Sequence, residues 1–170
     1  MTAPFRIETL PRDHDRSTFR SGSEPLDRYF REQVSQDLRR HIATCFVAVD
    51  SKTGEVAGYY TLTATSIPLD LLPERTAKKL PRYPVVPAAL LGRLAIASGF
   101  QGKGLGAVLL GDALVRTARA ELGVFAMVVD AKDETAQRFY EHHGFVSLAG
   151  ENRRLYLPMA TALGALKRNK

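Results

Sequence analysis

The sequence has a single cysteine, Cys45, so an internal disulfide is excluded. That residue sits in the apolar run TCFVAV, where a small buried side chain is the simplest reading. No apolar run approaches the roughly 18 residues that a membrane-spanning helix needs. The opening MTAPFRIETLPRDHD lacks the charged start and apolar stretch of a secretory signal, which sets the expectation of a cytoplasmic protein without a membrane anchor. Internal repeats and low-complexity linkers are also missing, and 170 residues suit one domain with a substantial core, so a single domain over 1–170 is expected. Acidic residues are in deficit: 18 Asp and Glu face 24 Lys and Arg, for a net charge of +6. This favours an anionic partner without choosing among a phosphorylated cofactor, nucleic acid and an acidic protein.

What is present alternates between strand and helix patterns. FRIETL reads as a first strand. After the turn-prone SGS, the segment 24–41 spaces Leu26, Phe30, Val34 and Leu38 four apart, with Tyr29 beside them, giving one apolar helical face. Ser23 is the expected N-cap, and Pro25 is tolerated in the first turn. TCFVAVD and EVAGYYTLTATSI read as strands joined at SKTG. The proline-rich stretch from Pro68 to Pro87 is a connection with a short helix around ERTAKKL, and AALLGRLAIA is a buried strand. A helix follows whose Leu105, Val108, Leu109 and Val115 are expected on one face. FAMVVDA is the next strand, DETAQRFYEHH a helix, FVSL and RLYLPM the last strands, and LKRNK a solvated tail. The alternation implies a layered α/β or α+β fold.

The stretch FQGKGLGAVLL places glycines at 102, 104 and 106 between a strand and a helix. Backbone amides at such a helix start lack intrahelical partners and carry the positive end of the helix dipole, so the geometry suits phosphate. A P-loop is excluded, because Gly102 and Lys103 are followed by Gly104 rather than Ser or Thr. A dinucleotide fingerprint is formally met by Gly102, Gly104 and Ala107, with Asp130 as a ribose ligand, but about 100 residues precede it where that fold opens its domain with the motif. A glycine-rich turn with no ligand is a further possibility.

GRLAIASGFQGKGLGAVLL resembles the acetyl-CoA-binding segment of the GNAT N-acetyltransferases, whose loop Q/R-x-x-G-x-G/A is matched from Gln101 to Gly106. Their helix motif A-x-x-F/L-Y-x-x-x-G-F is matched by Ala136, Phe139, Tyr140, Gly144 and Phe145. FRSGSEPLDRYF is similar to the N-terminal pattern of a narrower branch, the acetyltransferase toxins of bacterial toxin–antitoxin modules, through Phe19, Ser21, Gly22, Leu26, Asp27 and Tyr29. The resemblance covers nearly the whole chain. It implies a mixed central sheet with a splayed strand pair and flanking helices, acetyl-CoA as cosubstrate and no metal.

It also implies site roles. The pantetheine arm would pair with the strand at Leu94, Ala95 and Ile96, and the pyrophosphate with amides of Gln101, Gly102, Lys103, Gly104, Leu105 and Gly106. Tyr140 would donate a proton to the departing thiolate. Glu141 and Asp133 read as solvated helix residues, and His142 and His143 as a polar last turn. Arg93, a charge inside an apolar strand, must meet a carboxylate, a ligand or solvent. Arg28 and Arg31, with Arg39 and Arg40, join Lys78, Lys79 and Arg82 as candidates for a basic surface that RNA would need. The toxin branch implies aminoacyl-tRNA as substrate, a ribbon-helix-helix antitoxin as partner, and a homodimer. An acetyltransferase of small amines or protein termini, and a non-catalytic acyl-CoA-binding module, are the rival readings.

Overall fold

The computed structural model describes residues 4–150 and 153–168. Among the described residues seven strands form one mixed sheet: β1 (Phe5–Thr9), β2 (Thr44–Asp50), β3 (Val56–Pro68), β4 (Val85–Ile96), β5 (Ala126–Asp130), β6 (Val146–Ser147) and β7 (Arg154–Pro158). Their order is β1-β2-β3-β4-β5-β7-β6. The helices are α1 (Glu24–Arg28), α2 (Val34–Arg39), α3 (Glu74–Ala77), α4 (Leu105–Ala118), α5 (Glu134–His142) and α6 (Met159–Arg168). Among the described residues no helix is long and apolar enough to cross a membrane.

Contacts divide the chain into two compact units, residues 1–63 with 92–113 and residues 64–91 with 114–170. The first has an aromatic core. Phe30 stacks on Tyr59 with ring centroids 4.4 Å apart, and Phe19 closes on Phe30 at 4.9 Å. Val34, Cys45, Val47 and Val49 complete it, all out of contact with water. Burial pushes the Cys45 thiol up to about 12, so it stays protonated and packs as a small apolar group. Gly58 is a close-approach glycine here, since a Cβ would lie 2.9 Å from the Ala95 carbonyl and 3.0 Å from Leu109.

The second unit is built on Ile67, Leu72, Val86, Ala88, Val128, Leu148 and Tyr156. In it β4 and β5 run parallel, in register over Ala88–Leu91 and Ala126–Val129, which is only part of β4. β5 and β7 are antiparallel across their full lengths.

Three features depart from the sequence reading. Val108 is exposed, because the buried stripe of α4 runs through Leu105, Leu109, Leu110, Ala113 and Leu114 on the other side of the helix. The start of the LKRNK tail is helical, as the last turn of α6: Met159 and Ala162 are buried, and the exposed Lys167 and Arg168 suit the helix dipole. Residues 169 and 170 lie outside the described residues. The first helix is interrupted by a π turn over Tyr29–Gln33, marked by the Val34 amide donating to the Tyr29 carbonyl. A strict repeat of four residues is longer than the 3.6 of an α-helix, and one widened turn absorbs the drift that would rotate Leu38 away from Leu26.

Candidate active site

At the end of β4 a short 3-10 turn, Ser98–Phe100, leads into the glycine loop. Gly102 and Gly104 take φ of +78° and +81°, in the left-handed region that side chains disfavour, and nothing lies where their Cβ atoms would be. The Gln101 amide reaches back to Ser98 and that of Val108 to Gly104, whereas the amides of residues 102–107 have no acceptor among the described residues. A row of unpaired donors on left-handed glycines at a helix start is a cradle for phosphate oxygens. Gln101 contributes through its side chain, whose amide nitrogen donates to the Ser21 carbonyl at 2.6 Å and the Ile96 carbonyl at 2.9 Å. It ties the loop both to β4 and to the segment ahead of α1. Lys103 lies over the Phe100 ring at 5.7 Å.

Ser21 is itself fastened. The carboxylate of Asp27, only 2% exposed, accepts from the Ser21 amide at 3.0 Å and from its hydroxyl at 2.6 Å. Gly22 between them has φ +98°. Ser23 stands at the N-cap position but makes no side-chain cap; Asp27 does the fastening instead. Asp27→Asn keeps the shape while removing the charge from these bonds, and a loss of about 1.5–3 kcal/mol in unfolding free energy is expected by chemical denaturation.

Along β4, Ala95 is buried in the aromatic core, and Leu94 and Ile96 are half-buried. Arg93 is half-buried as well, with its guanidinium carbon 3.5 Å from the centroid of the Tyr29 ring. No ion pair is found for it among the described residues. The Tyr29 hydroxyl donates to Asp37 at 2.7 Å, and burial, with that bond second, pushes its pKa up.

Tyr140 belongs to the other unit. Asp133, exposed as expected, also caps α5 by accepting from the Ala136 amide at 2.8 Å. Tyr140 is 7% exposed, edge-on to Phe139 at 5.2 Å and to Phe145 at 5.5 Å. Gly144, with φ +94°, turns the chain so that the Phe145 amide returns to the Tyr140 carbonyl. Burial alone pushes the phenol up to about 12, and its hydroxyl has no hydrogen-bond partner among the described residues. This is a protonated donor held in an apolar setting. His143 packs on Phe139 at 4.8 Å, and burial, then the neighbouring His142, lower its pKa; Glu141 is exposed.

The basic candidates differ in freedom. Arg31 donates to the Phe19 carbonyl at 3.1 Å and to Glu24 at 3.2 Å, so it holds the start of α1. Arg28 shares Glu24 at 3.7 Å, and Lys78 pairs with Glu74 at 3.4 Å, both well exposed. Exposed pairs of this kind contribute little and yield readily to another anion. Lys79, Arg39, Arg40 and Arg82 are exposed. Asp130, the ribose ligand of the dinucleotide alternative, is instead gripped by Arg154 through two bonds of 2.7 and 2.9 Å. Among the described residues no group of His, Cys, Asp and Glu is placed to hold a metal ion.

The family model of the acetyltransferase (GNAT) domain matches residues 41–147. The chain belongs to the GNAT acetyltransferase family. A tRNA-acetylating toxin of Mycobacterium tuberculosis is 35% identical to the acetyltransferase over 146 residues, 85% of this chain and 84% of the relative. AtaT complexed with acetyl-methionyl-tRNAfMet superposes with a TM-score of 0.86 at 32% identity, covering 96% of this chain and 99% of that one. A mutant AtaT toxin bound to the C-terminus of the antitoxin AtaR and acetyl-CoA gives 0.80 at 27%, with 96% and 99% covered. The acetyltransferase therefore has the mixed sheet and flanking helices of the GNAT toxins.

Proposed function

We propose that this acetyltransferase moves the acetyl group of acetyl-CoA to the α-amine of aminoacyl-tRNA, and thereby acts as a toxin that blocks translation. The observation that carries the reading is the likeness, across 96% of the chain, to a toxin whose complex contains an acetylated aminoacyl-tRNA. The relative named for tRNA acetylation supports it independently.

In this reading the unpaired amides from Gly102 to Gly106 take the pyrophosphate, with Gln101 bracing the loop from behind. The pantetheine arm lies along Leu94–Ile96 as an added strand would. The amine attacks the thioester carbonyl directly. The nitrogen–carbon bond forms, the carbon–sulfur bond breaks, the nitrogen loses its proton to solvent, and the Tyr140 hydroxyl protonates the thiolate. An α-amine titrates near pH 8, so part of it is neutral at physiological pH without a dedicated base, whereas a lysine near 10.4 would need one. The whole chain acts as one catalytic domain in the cytoplasm, as a homodimer, held inactive by a ribbon-helix-helix antitoxin.

The test is transfer of labelled acetyl from acetyl-CoA to a pool of charged tRNA, with deacylated tRNA as control. Label on charged tRNA only is the expected outcome. Label on peptides or small amines with none on tRNA moves the acetyltransferase to another acceptor, and acetyl-CoA binding without any transfer makes it a binding module.

A further inference from the structure

We infer that Arg93 grips a phosphodiester of the acceptor's single-stranded 3′ end, and that Tyr29, fixed by the π turn, is the plate on which its guanidinium rests. The inference rests on the aminoacyl-tRNA reading above.

Arg93 is a half-buried charge inside a strand, and such a charge is costly unless it is paired. Among the described residues no carboxylate pairs with it. Asp37 accepts from the Tyr29 hydroxyl, and Asp27 takes the amide and hydroxyl of Ser21. What Arg93 has is the Tyr29 ring at 3.5 Å, a contact that steadies a flat guanidinium and leaves its edge N–H groups free. Those groups match the paired oxygens of a phosphate or carboxylate.

The plate is built with care. Tyr29 is 3% exposed, its hydroxyl is anchored 2.7 Å from Asp37, and its backbone lies in the π turn beside the fully buried Phe30. Widened turns of this kind recur at functional sites because they aim a side chain that a regular helix would turn away.

The ligand class follows from position and chemistry. Side chains alternate along β4. Ile96 lies on the Leu109 side of Gly58, toward α4 and the phosphate loop, whereas Ala95 packs into the core with Tyr29 and Phe30. Arg93, two residues before Ala95, therefore faces away from the loop assigned to the coenzyme, yet stands next to the residues assigned to its reactive arm. An anion held there belongs to the acceptor. In aminoacyl-tRNA the amino acid's own carboxyl is esterified, so the anions at its reacting end are phosphodiesters.

The experiment measures steady-state kinetics with charged tRNA, with the methyl ester of the same amino acid as a phosphate-free acceptor, and with varied acetyl-CoA. For Arg93→Gln the KM for charged tRNA is expected to rise roughly 10- to 100-fold, the size of a lost charge-assisted contact, with the KM for acetyl-CoA within about twofold. The preference for tRNA over the ester falls by a similar factor. The salt dependence of the tRNA KM flattens by about 0.7 in its log–log slope, the value for one phosphate of a single strand. Arg93→Lys, which keeps the charge but not the fork, falls between wild type and Arg93→Gln. Tyr29→Leu moves the tRNA KM in the same direction, and Tyr29→Phe moves it less.

An equal loss on ester and tRNA would show a structural role and overturn the inference, as would a rise confined to the acetyl-CoA KM or no change at all. Transfer to tRNA by wild type that is undiminished in Arg93→Gln overturns the inference alone. Wild type that labels no charged tRNA overturns the functional reading and this inference together.

Discussion

Tyr140→Phe is expected to lower kcat for acetyl transfer by roughly 10²- to 10⁴-fold, the range of a lost general acid, while acetyl-CoA binding measured by calorimetry stays at the wild-type level. The side chain is buried among Phe139 and Phe145, and its hydroxyl has no partner among the described residues, so removing one oxygen leaves the packing intact. A phenol pushed up to about 12 by burial is protonated throughout the working range. Wild-type activity should therefore rise as the acceptor amine deprotonates and show no alkaline fall through about pH 9 from this group. The same shift fixes a stability sign. Below about pH 10 both folded and unfolded phenols are protonated and stability is unaffected; above it the unfolded chain ionises first, and stability falls until the folded phenol titrates as well. Loss of acetyl-CoA binding in the variant, or an unchanged kcat, would remove Tyr140 from the role of acid.

Gly104→Val should weaken acetyl-CoA binding by roughly 10- to 100-fold. At φ +81° a side chain costs about 1–2 kcal/mol, and a β-branched one is a true outlier there, so the loop relaxes by rotating its peptide planes away. The neighbouring amides, which have no acceptor among the described residues, then change direction, and their orientation is what a phosphate nest depends on. Gly99→Ala is the matched control, since Gly99 has a negative-side backbone and open space where its Cβ would go, and its affinity is expected near wild type. Equal affinities in both variants would mean that phosphate is held by something other than the loop's backbone.

Much of the fold was legible because its signals are local. The runs TCFVAVD and EVAGYYTLTATSI became β2 and β3, and the segment after the glycine loop became α4. The short α6 was missed because ATALGALKR carries an internal glycine and no N-cap, so its helix depends on Met159 and Ala162 finding a core. The α4 face was misjudged at Val108, since the spacing makes it a neighbour of Leu105 on the helix but does not say where the buried stripe ends.

The site was legible in part. Gly102 and Gly104 could be picked out by type and spacing, whereas Tyr140 on spacing alone reads as a core aromatic and was singled out only through the resemblance. The bonds of Asp27 to Ser21 and of Gln101 to Ser21 and Ile96 join residues far apart in sequence, and nothing short of the fold reveals them. The contact of Arg93 with Tyr29 is of the same kind. One signal did exist for the π turn, the uninterrupted four-residue repeat of Leu26, Phe30, Val34 and Leu38.

That turn has a bearing on how the chain tolerates changes of length. A π turn is in effect one residue inserted into an α-helix. Deleting a single residue between Tyr29 and Gln33 would restore the regular winding but swing everything on one side of the cut by about 100° relative to the other. Val34 could stay in the core only if Tyr29 left its place beneath Arg93, or Tyr29 could stay only if Val34 left the core. The segment from Glu24 to Arg39 is thus fixed in length as well as in composition, and a relative one residue shorter here would need a different support for the arginine.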